Sequence, residues 1–332
     1  MAYITLADFS HKKELIDLWS QAFGDDERFI SSFLEAYMIP GYNVPVMCNE
    51  YERSSYAVHT NRSIVDGKIV SALYLLNFDL YSNSEMLGEC AYLFAAATKE
   101  GYKNSGHMSE LIRYSVDLCR SRNQKAIFLF PQAQNPKLFD FYSKFGFESI
   151  YAAKKIKGTG KGGTAHNSFK LTEKAITDAE ILDELYAAYT KFTAKQPLAP
   201  FKDKLFYLKC AESYLNTDED PDTTAHFAVL ESINEHNFEK FCYVFYKKSK
   251  NISYIDDIIF IKDKNILKTA EILADILSNS GDCMNFEINV PSLSPEDAQN
   301  TPLAMILPLD ERIRGIIRKM ETPGYINMFM NL

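Results

Sequence analysis

The chain has 332 residues and a formal net charge of −8, and apolar residues make up 46% of it. A chain of this length usually divides into two domains, and its apolar content excludes wholesale disorder. The acidic balance argues against a dedicated nucleic-acid-binding protein, because such domains usually carry net positive charge. It mildly favours a cationic partner such as an amine.

Cysteines and apolar runs bear on the compartment of the protein. The six cysteines are dispersed and none forms a Cys-x-x-Cys pair, which is typical of reduced core residues rather than of a disulfide framework or a zinc site. The N-terminal segment has charges where a signal peptide needs an apolar stretch, and no apolar run reaches the length of a membrane helix. We therefore expect a cytoplasmic protein without a metal, a membrane or a nucleic-acid partner. A homo-oligomer is compatible with the sequence.

Residue patterns in the first half predict a mixed α/β domain. Residues 3–6 predict a strand, and apolar residues at helical spacings predict helices at 11–24 and 27–38. Two β-rich runs flank the turn residues Asp66 and Gly67, which predicts a hairpin. The other predicted elements are a strand at 86–98, a helix at 104–123, a strand at 126–131, a helix at 135–146 and strands at 147–156 and 166–171.

The same order of elements begins again at about residue 176. Two predicted helices, at 178–191 and 202–215, precede three strands, a helix, a strand and a final apolar run. Because this order is similar to that of the first half, the sequence predicts a divergent tandem repeat with domains at 1–175 and 176–332.

One segment of the first half, AAATKEGYKNSGHMSELI, places a strand end, a loop and a helix N-terminus in sequence. A helix N-terminus presents unpaired N–H groups and the positive end of the macrodipole, and both favour a pyrophosphate. Gly106 would let the backbone approach the phosphates closely, while Lys103 and Asn104 add donors. The alternative is a plain strand-to-helix turn that contains a glycine.

A second segment, NPKLFDFYSKFGFE, places Asn135 seven residues before Tyr142, with Gly146 and Phe147 shortly after. Together the two segments resemble the GCN5-related N-acetyltransferase (GNAT) family. In that family a glycine-containing loop opens the third helix, and a later helix carries an Asn seven residues ahead of a Tyr. The resemblance covers about half of the chain closely. Lys103 stands where the family has Arg or Gln, and Met108 stands where it has a small residue.

The resemblance implies an α/β fold (an α+β mixed sheet) in two tandem GNAT-like domains, the second of them degenerate. The tandem arrangement is similar to the enhanced-intracellular-survival acetyltransferases, but this chain has no room for their sterol-carrier-like domain. Its second half has no glycine in the corresponding turn and no Tyr followed by Gly-Phe. We expect that half to shape the acceptor pocket.

The implied activity is N-acyl transfer, in which an acetyl group moves from acetyl-CoA to an amine of a small molecule or peptide. Acetyl-CoA is expected between strands 88–98 and 126–131, with an oxyanion-hole-type role for the backbone of the first strand and Tyr142 as general acid. The implied cofactor-binding residues are Ala96, Ala97, Thr98, Lys103, Asn104, Ser105, Gly106, His107, Met108, Ser109 and Asn135.

Several assignments stay open at the level of sequence. Glu89 and His59 are candidates for the general base, although an exposed-face Glu and a surface His are commoner explanations. Gly158, Gly160 and Gly163 form a Gly-x-Gly-x-x-Gly pattern that precedes a strand-like run, so it lacks the dinucleotide-binding context. A non-catalytic acyl-CoA-binding module is the alternative function. An aminoacyl-tRNA-dependent transferase is disfavoured by the negative charge.

Overall fold

A computed structural model describes the chain over most of its length. The described residues are 2–49, 68–132, 135–159, 168–176, 178–216, 222–234, 237–249, 252–261, 269, 272–273, 275–277, 285–291 and 300–320. The first strand of the predicted hairpin, together with His59, lies outside these residues, and so do Gly160 and Gly163.

Helices and strands alternate in an order close to the predicted one. The helices are α1 (Lys12–Phe23), α2 (Glu27–Tyr37), α3 (His107–Ser121), α4 (Pro136–Ser143), α5 (Ala179–Ala194), α6 (Lys204–Leu215) and α7 (Glu311–Lys319). The strands are β1 (Ala2–Leu6), β2 (Pro45–Asn49), β3 (Lys68–Ser82), β4 (Glu85–Thr98), β5 (Ala126–Leu129), β6 (Glu148–Thr159), β7 (Phe169–Glu173), β8 (Ala199–Phe201), β9 (Thr223–Asn234), β10 (Asn237–Ser249), β11 (Ile252–Phe260), β12 (Asn285–Pro291) and β13 (Asn300–Pro308).

The strands form one mixed sheet whose order is β1-β2-β3-β4-β5-β13-β6-β12-β11-β10-β9-β7, with β8 added at β3. Among the described strands, β4 pairs with β5 in parallel and β11 pairs with β12 in parallel, whereas the other neighbours are antiparallel. Counted inward from either edge of the sheet, the fourth and fifth strands form the parallel pair. These strands are β4 and β5 from one edge, and β11 and β12 from the other. The fold is therefore the predicted tandem repeat of mixed α/β domains.

The centre of the sheet holds two exchanged strands. β13 comes from the end of the chain, yet it pairs with β5 through Met305–Leu129 and Ile306–Phe128. β6 comes from the first half, yet it pairs with β12 of the second. The two halves thus share one sheet instead of packing as separate units. Sequence patterns identified the segment of β13 only as a final apolar run and carried no sign of where it would pair, because pairing depends on contacts distant in sequence.

Alternate side chains of β4 pack into two separate hydrophobic cores. The α1 core contains Leu15, Leu18 and Trp19 of α1, and it continues across the sheet into the second half at Phe206 and Phe245. The α3 core is defined by its buried members, which are Leu73, Leu75, Ala91, Leu93, Leu111, Ile112, Val116, Cys119, Ile127, Leu129, Tyr142, Phe147, Met305 and Leu307. The period-two pattern of β4 places Cys90 and Tyr92 in the α1 core and Ala91 and Leu93 in the α3 core.

Replacement of Met305 by Ala tests the strand exchange. Met305 is fully buried in the α3 core, so its truncation should lower the free energy of unfolding by about 2–5 kcal/mol. Met86→Ala is the matched control, because Met86 on β4 is 52% exposed and its truncation should change stability by less than about 0.5 kcal/mol. Urea unfolding followed by circular dichroism measures both. Equal stabilities of the two variants would contradict the central position of β13.

A first-half cleft between two parallel strands

The candidate site lies where β4 leaves β5. The two strands pair in parallel at Ala91–Ile127 and Tyr92–Phe128, after which β4 continues to Thr98 while β5 ends at Leu129. Backbone groups of a strand that has lost its neighbour need other partners. Ligands in open α/β sheets bind at such carboxyl ends of parallel strands, so the opening is a candidate binding cleft.

A β-bulge interrupts β4 beside this opening. Tyr74 of β3 pairs with Phe94 and Ala72 pairs with Ala97, so Ala95 and Ala96 together oppose a single residue. Phe94 and Ala95 consequently both pack on the α1 core, whereas Ala96 packs on the α3 core. Ala95 has φ 52°, a left-handed conformation that costs a non-glycine residue about 1–2 kcal/mol.

The strained residue is held by a side chain from α1. The indole Nε1–H of Trp19 donates a hydrogen bond to the carbonyl oxygen of Ala95 at 2.7 Å. Trp19 is 3% exposed, and its ring lies 6.0 Å from that of Tyr74. Sequence reasoning missed both Ala95 and Trp19. A run of three alanines inside a strand was the available signal, since alanine is depleted in regular strands.

The N-terminus of α3 follows β4 and opens next to the cleft. Gly106 is the N-cap residue with φ 86°, and no side chain caps the first turn. Asn104 also has a left-handed backbone, with φ 65°, and successive N–H groups in such turns form anion-binding concavities. A Cβ atom added to Gly106 would meet nothing within 4 Å, so the space in front of the helix is open.

Side chains around this turn are mostly accessible. Residues 103–106 are exposed, and His107, Met108 and Ser109 are half-buried. Lys103 forms an ion pair with Glu100, and both side chains are largely exposed. Exposed pairs of this kind are worth about 0–1 kcal/mol, so the Lys103 ammonium remains available to another anion.

Helix α4 carries the second predicted motif. Tyr142 is 8% exposed in the α3 core, where its ring lies 5.9 Å from that of Phe147. Burial raises the pKa of the Tyr142 hydroxyl to about 12. Asn135 is the N-cap residue of α4, but its side chain makes no capping hydrogen bond and is exposed. The α3 core thus brings Ala96, Met108 and Tyr142 together from three elements.

Gly146 ends the turn after α4 with φ 88° and fits against β13. A Cβ atom there would lie 3.3 Å from Cδ1 of Leu307. Glycine at position 146 is therefore favoured by the left-handed backbone, and its lack of a side chain leaves room for Leu307 of the exchanged strand.

Glu89, one of the two candidate bases, lies at the other end of β4. Its side chain is exposed, and its carbonyl accepts a hydrogen bond from Lys125 N–H just before β5 begins. Ala95 is six positions further along the strand, a distance of roughly 20 Å. Glu89 therefore lies before the point at which β4 leaves β5. His59 lies outside the described residues.

The second half repeats the bulge but not its chemistry. Ile255 pairs with Tyr246 and Asp257 pairs with Phe245, so Asp256 is the extra residue of β11. The Tyr214 hydroxyl donates to Asp256 at 2.7 Å, and Asp257 is 4% exposed. Carboxylates thus occupy the strand where the first half has alanines.

One lysine of the second half is fully buried. Lys202 has no exposed surface, and its removal from water lowers the pKa of its ammonium group to about 8, while the coulombic influence of Asp257 acts in the opposite direction. Within the described residues, no three side chains of His, Cys, Asp or Glu are placed to hold a metal ion. In the same part of the chain, no helix is long and apolar enough to span a membrane.

Comparisons with known proteins agree with this geometry. Residues 4–150 match the family profile of the acetyltransferase (GNAT) domain. The first half of the chain therefore contains a GNAT domain, and the residues around the cleft lie in the matched segment. No curated protein gives a significant match to the sequence.

Solved structures share the fold at low sequence identity. A conserved protein from Enterococcus faecalis, described as a probable N-acyltransferase, has a TM-score of 0.69 and 13% identity over 94% of this chain and 73% of its own. A GCN5-related N-acetyltransferase from Anabaena variabilis has a TM-score of 0.64 and 13% identity over 92% of this chain and 72% of its own. Eis1 from Mycobacterium abscessus has a TM-score of 0.61 and 11% identity over 94% of this chain and 75% of its own. These three likenesses show that the chain shares its fold with these proteins.

Glycine substitutions test the strained residue of the bulge. Ala95→Gly should leave the free energy of unfolding unchanged or raise it by up to about 1 kcal/mol, because glycine adopts a left-handed conformation without strain. Ala97→Gly, the matched control in regular strand conformation, should lower it by about 1 kcal/mol or more. Urea unfolding compares the two. A larger loss in Ala95→Gly than in Ala97→Gly would show that Ala95 is not left-handed in solution.

Proposed function

We propose that the protein transfers an acetyl group from acetyl-CoA to the amine of a small molecule or peptide. The observation that carries this proposal is the opening of β4 away from β5, with a bulge in β4 and an uncapped α3 N-terminus at the same end of the strands. The thioester of acetyl-CoA, when bound, supplies the activated acetyl group. The cofactor site is proposed to lie entirely within residues 1–175.

The turn before α3 is proposed to hold the pyrophosphate. Free N–H groups from Asn104 to Ser109 offer donors, and the helix macrodipole favours negative charge there. The open space in front of Gly106 accommodates a group that a side chain would exclude. Lys103 adds a positive charge when its ammonium group leaves the Glu100 carboxylate and pairs with a phosphate instead.

The strand backbone and α4 are proposed to hold the rest of the acyl donor. Backbone groups of Ala96, Ala97 and Thr98 lie past the last β4–β5 pair, where they can bind the pantetheine arm and the thioester oxygen. The Thr98 hydroxyl is engaged with that of Ser71 at 2.7 Å, so Thr98 contributes through its backbone. The Asn135 side chain makes no capping bond at α4 and is free to contact the arm.

Tyr142 is proposed to act as the general acid. With its pKa raised to about 12, the hydroxyl keeps its proton throughout the neutral range and can give it to the departing thiolate. The apolar surroundings in the α3 core exclude water from this proton.

The second half is proposed to shape the acceptor pocket. Phe206 of α6 packs against the first half, with ring centroids 5.4 Å from Tyr37 and 5.2 Å from Phe78. Phe33 of α2 in turn lies 5.1 Å from Phe94, the residue before the bulge. Aromatic faces attract cations, so this cluster suits an ammonium-bearing acceptor.

Calorimetric titration tests the cofactor site. The parent protein should bind about one acetyl-CoA per chain, and Gly106→Val should abolish binding because its side chain enters the phosphate space and its φ disfavours a branched residue. Gly101→Val is the matched control at a second glycine with open surroundings, and it should bind normally. A stoichiometry near two, or unchanged affinity in folded Gly106→Val, would contradict the proposed site.

Replacement of Tyr142 by Phe tests the chemistry. The ring and its packing remain, so acetyl-CoA affinity should change little while kcat falls by roughly 10²–10⁴-fold. Tyr186→Phe, which removes a hydroxyl bonded to the Lys202 carbonyl, is the control and should keep kcat. The assay requires an acceptor, found first in a panel of small amines, aminoglycosides and peptides.

Two outcomes of this experiment would change the proposal. If Tyr142→Phe turned over as fast as the parent, another group would have to be the acid. If no amine in the panel reacted while acetyl-CoA still bound tightly, a non-catalytic acyl-CoA-binding module would replace the enzyme.

A further inference from the structure

The hydrogen bond from Trp19 to the bulge has a consequence for the cleft. The carbonyl of Ala95 and the N–H of Ala96 belong to one peptide unit, and in a planar trans peptide these two groups point in opposite directions. Because the indole holds the carbonyl at 2.7 Å on the side of the α1 core, the Ala96 N–H is directed away from that core.

The opposite side of the strand is the side of the α3 core. Ala96 packs there, and so does Tyr142, the proposed acid. A donor directed to this side is suited to an oxygen that gains negative charge during acyl transfer. The reversed peptide would instead present a carbonyl oxygen to the same place and repel that charge. The orientation of one peptide unit therefore decides whether the bulge supplies a donor or an acceptor.

Nothing in β4 itself enforces the productive orientation. The register leaves Ala95 and Ala96 opposite a single residue of β3, and a left-handed conformation is unfavourable for alanine. The bond from Trp19 is the contact in the described structure that engages the Ala95 carbonyl. Trp19 is also well fixed, since it is 3% exposed and packs near Tyr74.

We propose that Trp19 is a positioning residue, which orients the Ala95–Ala96 peptide so that the Ala96 N–H serves as the oxyanion donor of the cleft. This inference rests on the proposed acetyl transfer. It adds a residue of α1 to the site, whereas the two sequence motifs that resemble the GNAT family lie around α3 and α4.

Trp19→Phe removes the donor and keeps an aromatic ring in the core. We expect kcat to fall by about 10–100-fold, which is no more than the usual fall in kcat when an oxyanion donor is removed. The dissociation constant of acetyl-CoA should stay within about threefold of the parent value. Leu15→Ala is the control, because Leu15 is fully buried in the same helix and core but contacts no bulge carbonyl. It should lose stability and keep most of kcat at a temperature where it is folded. Unchanged kcat in Trp19→Phe, or equal losses in both variants, would overturn the proposal.

A spectroscopic measurement separates this inference from the proposed function. Trp19 is the only tryptophan of the chain, so the ¹⁵N-labelled protein has a single indole N–H resonance. That proton should exchange slowly with solvent, and the Ala96 amide resonance should move on acetyl-CoA addition in the parent but much less in Trp19→Phe. Rapid indole exchange, or identical Ala96 shifts in both proteins, would overturn the positioning role even if acetyl transfer were intact. Absence of any acetyl-CoA binding by the parent would instead remove the proposed function, with slow indole exchange still reporting the Trp19–Ala95 bond.

Discussion

The loss of pairing between β4 and β5 after Tyr92 and Phe128 is the constraint on which the site depends. A parallel pair that separates leaves backbone donors and acceptors without neighbours, and such groups are costly unless a ligand, water or a side chain satisfies them. The bulge at Ala95 and the uncapped start of α3 lie at the same end of these strands. The cleft is therefore made largely of main chain, and the side chains around it act by orienting that main chain or by supplying a proton.

Strand exchange at the centre of the sheet joins this cleft to the far end of the chain. β13 pairs with β5, and its Met305 and Leu307 complete the core in which Tyr142 is buried. The α1 core likewise runs from Trp19 into the second half at Phe206. Both cores of the first half consequently depend on residues beyond position 176. The second half contributes stability to the cleft even though it has carboxylates where a cofactor would need neutral backbone.

The two halves share a backbone feature, the bulge, but differ in the side chains that surround it. The fourth strand of each half has a bulge with one extra residue, so the backbone geometry of the repeat has persisted. Side-chain chemistry has not, since Asp256 and Asp257 stand in the second half where the first half has alanines. Backbone geometry and side-chain chemistry can thus diverge separately in a tandem fold.

Sequence by itself determined most of the elements and the two motifs of the first half, because helical and strand periodicities and turn residues act over short distances. Gly106 and the Asn135–Tyr142 spacing could be read in this way, as could the repeat of element order. Short strands such as β2 and β8 gave too little periodicity to be predicted. The helical spacing of Ile313, Ile316 and Ile317 in α7 was a signal that sequence reasoning missed. The insertion of β13 beside β5, the left-handed Ala95 and the bond from Trp19 were decided only by the tertiary structure. The pairing of β13 with β5 and the bond from Trp19 join residues far apart in the chain, and such contacts leave no local pattern from which they could be predicted.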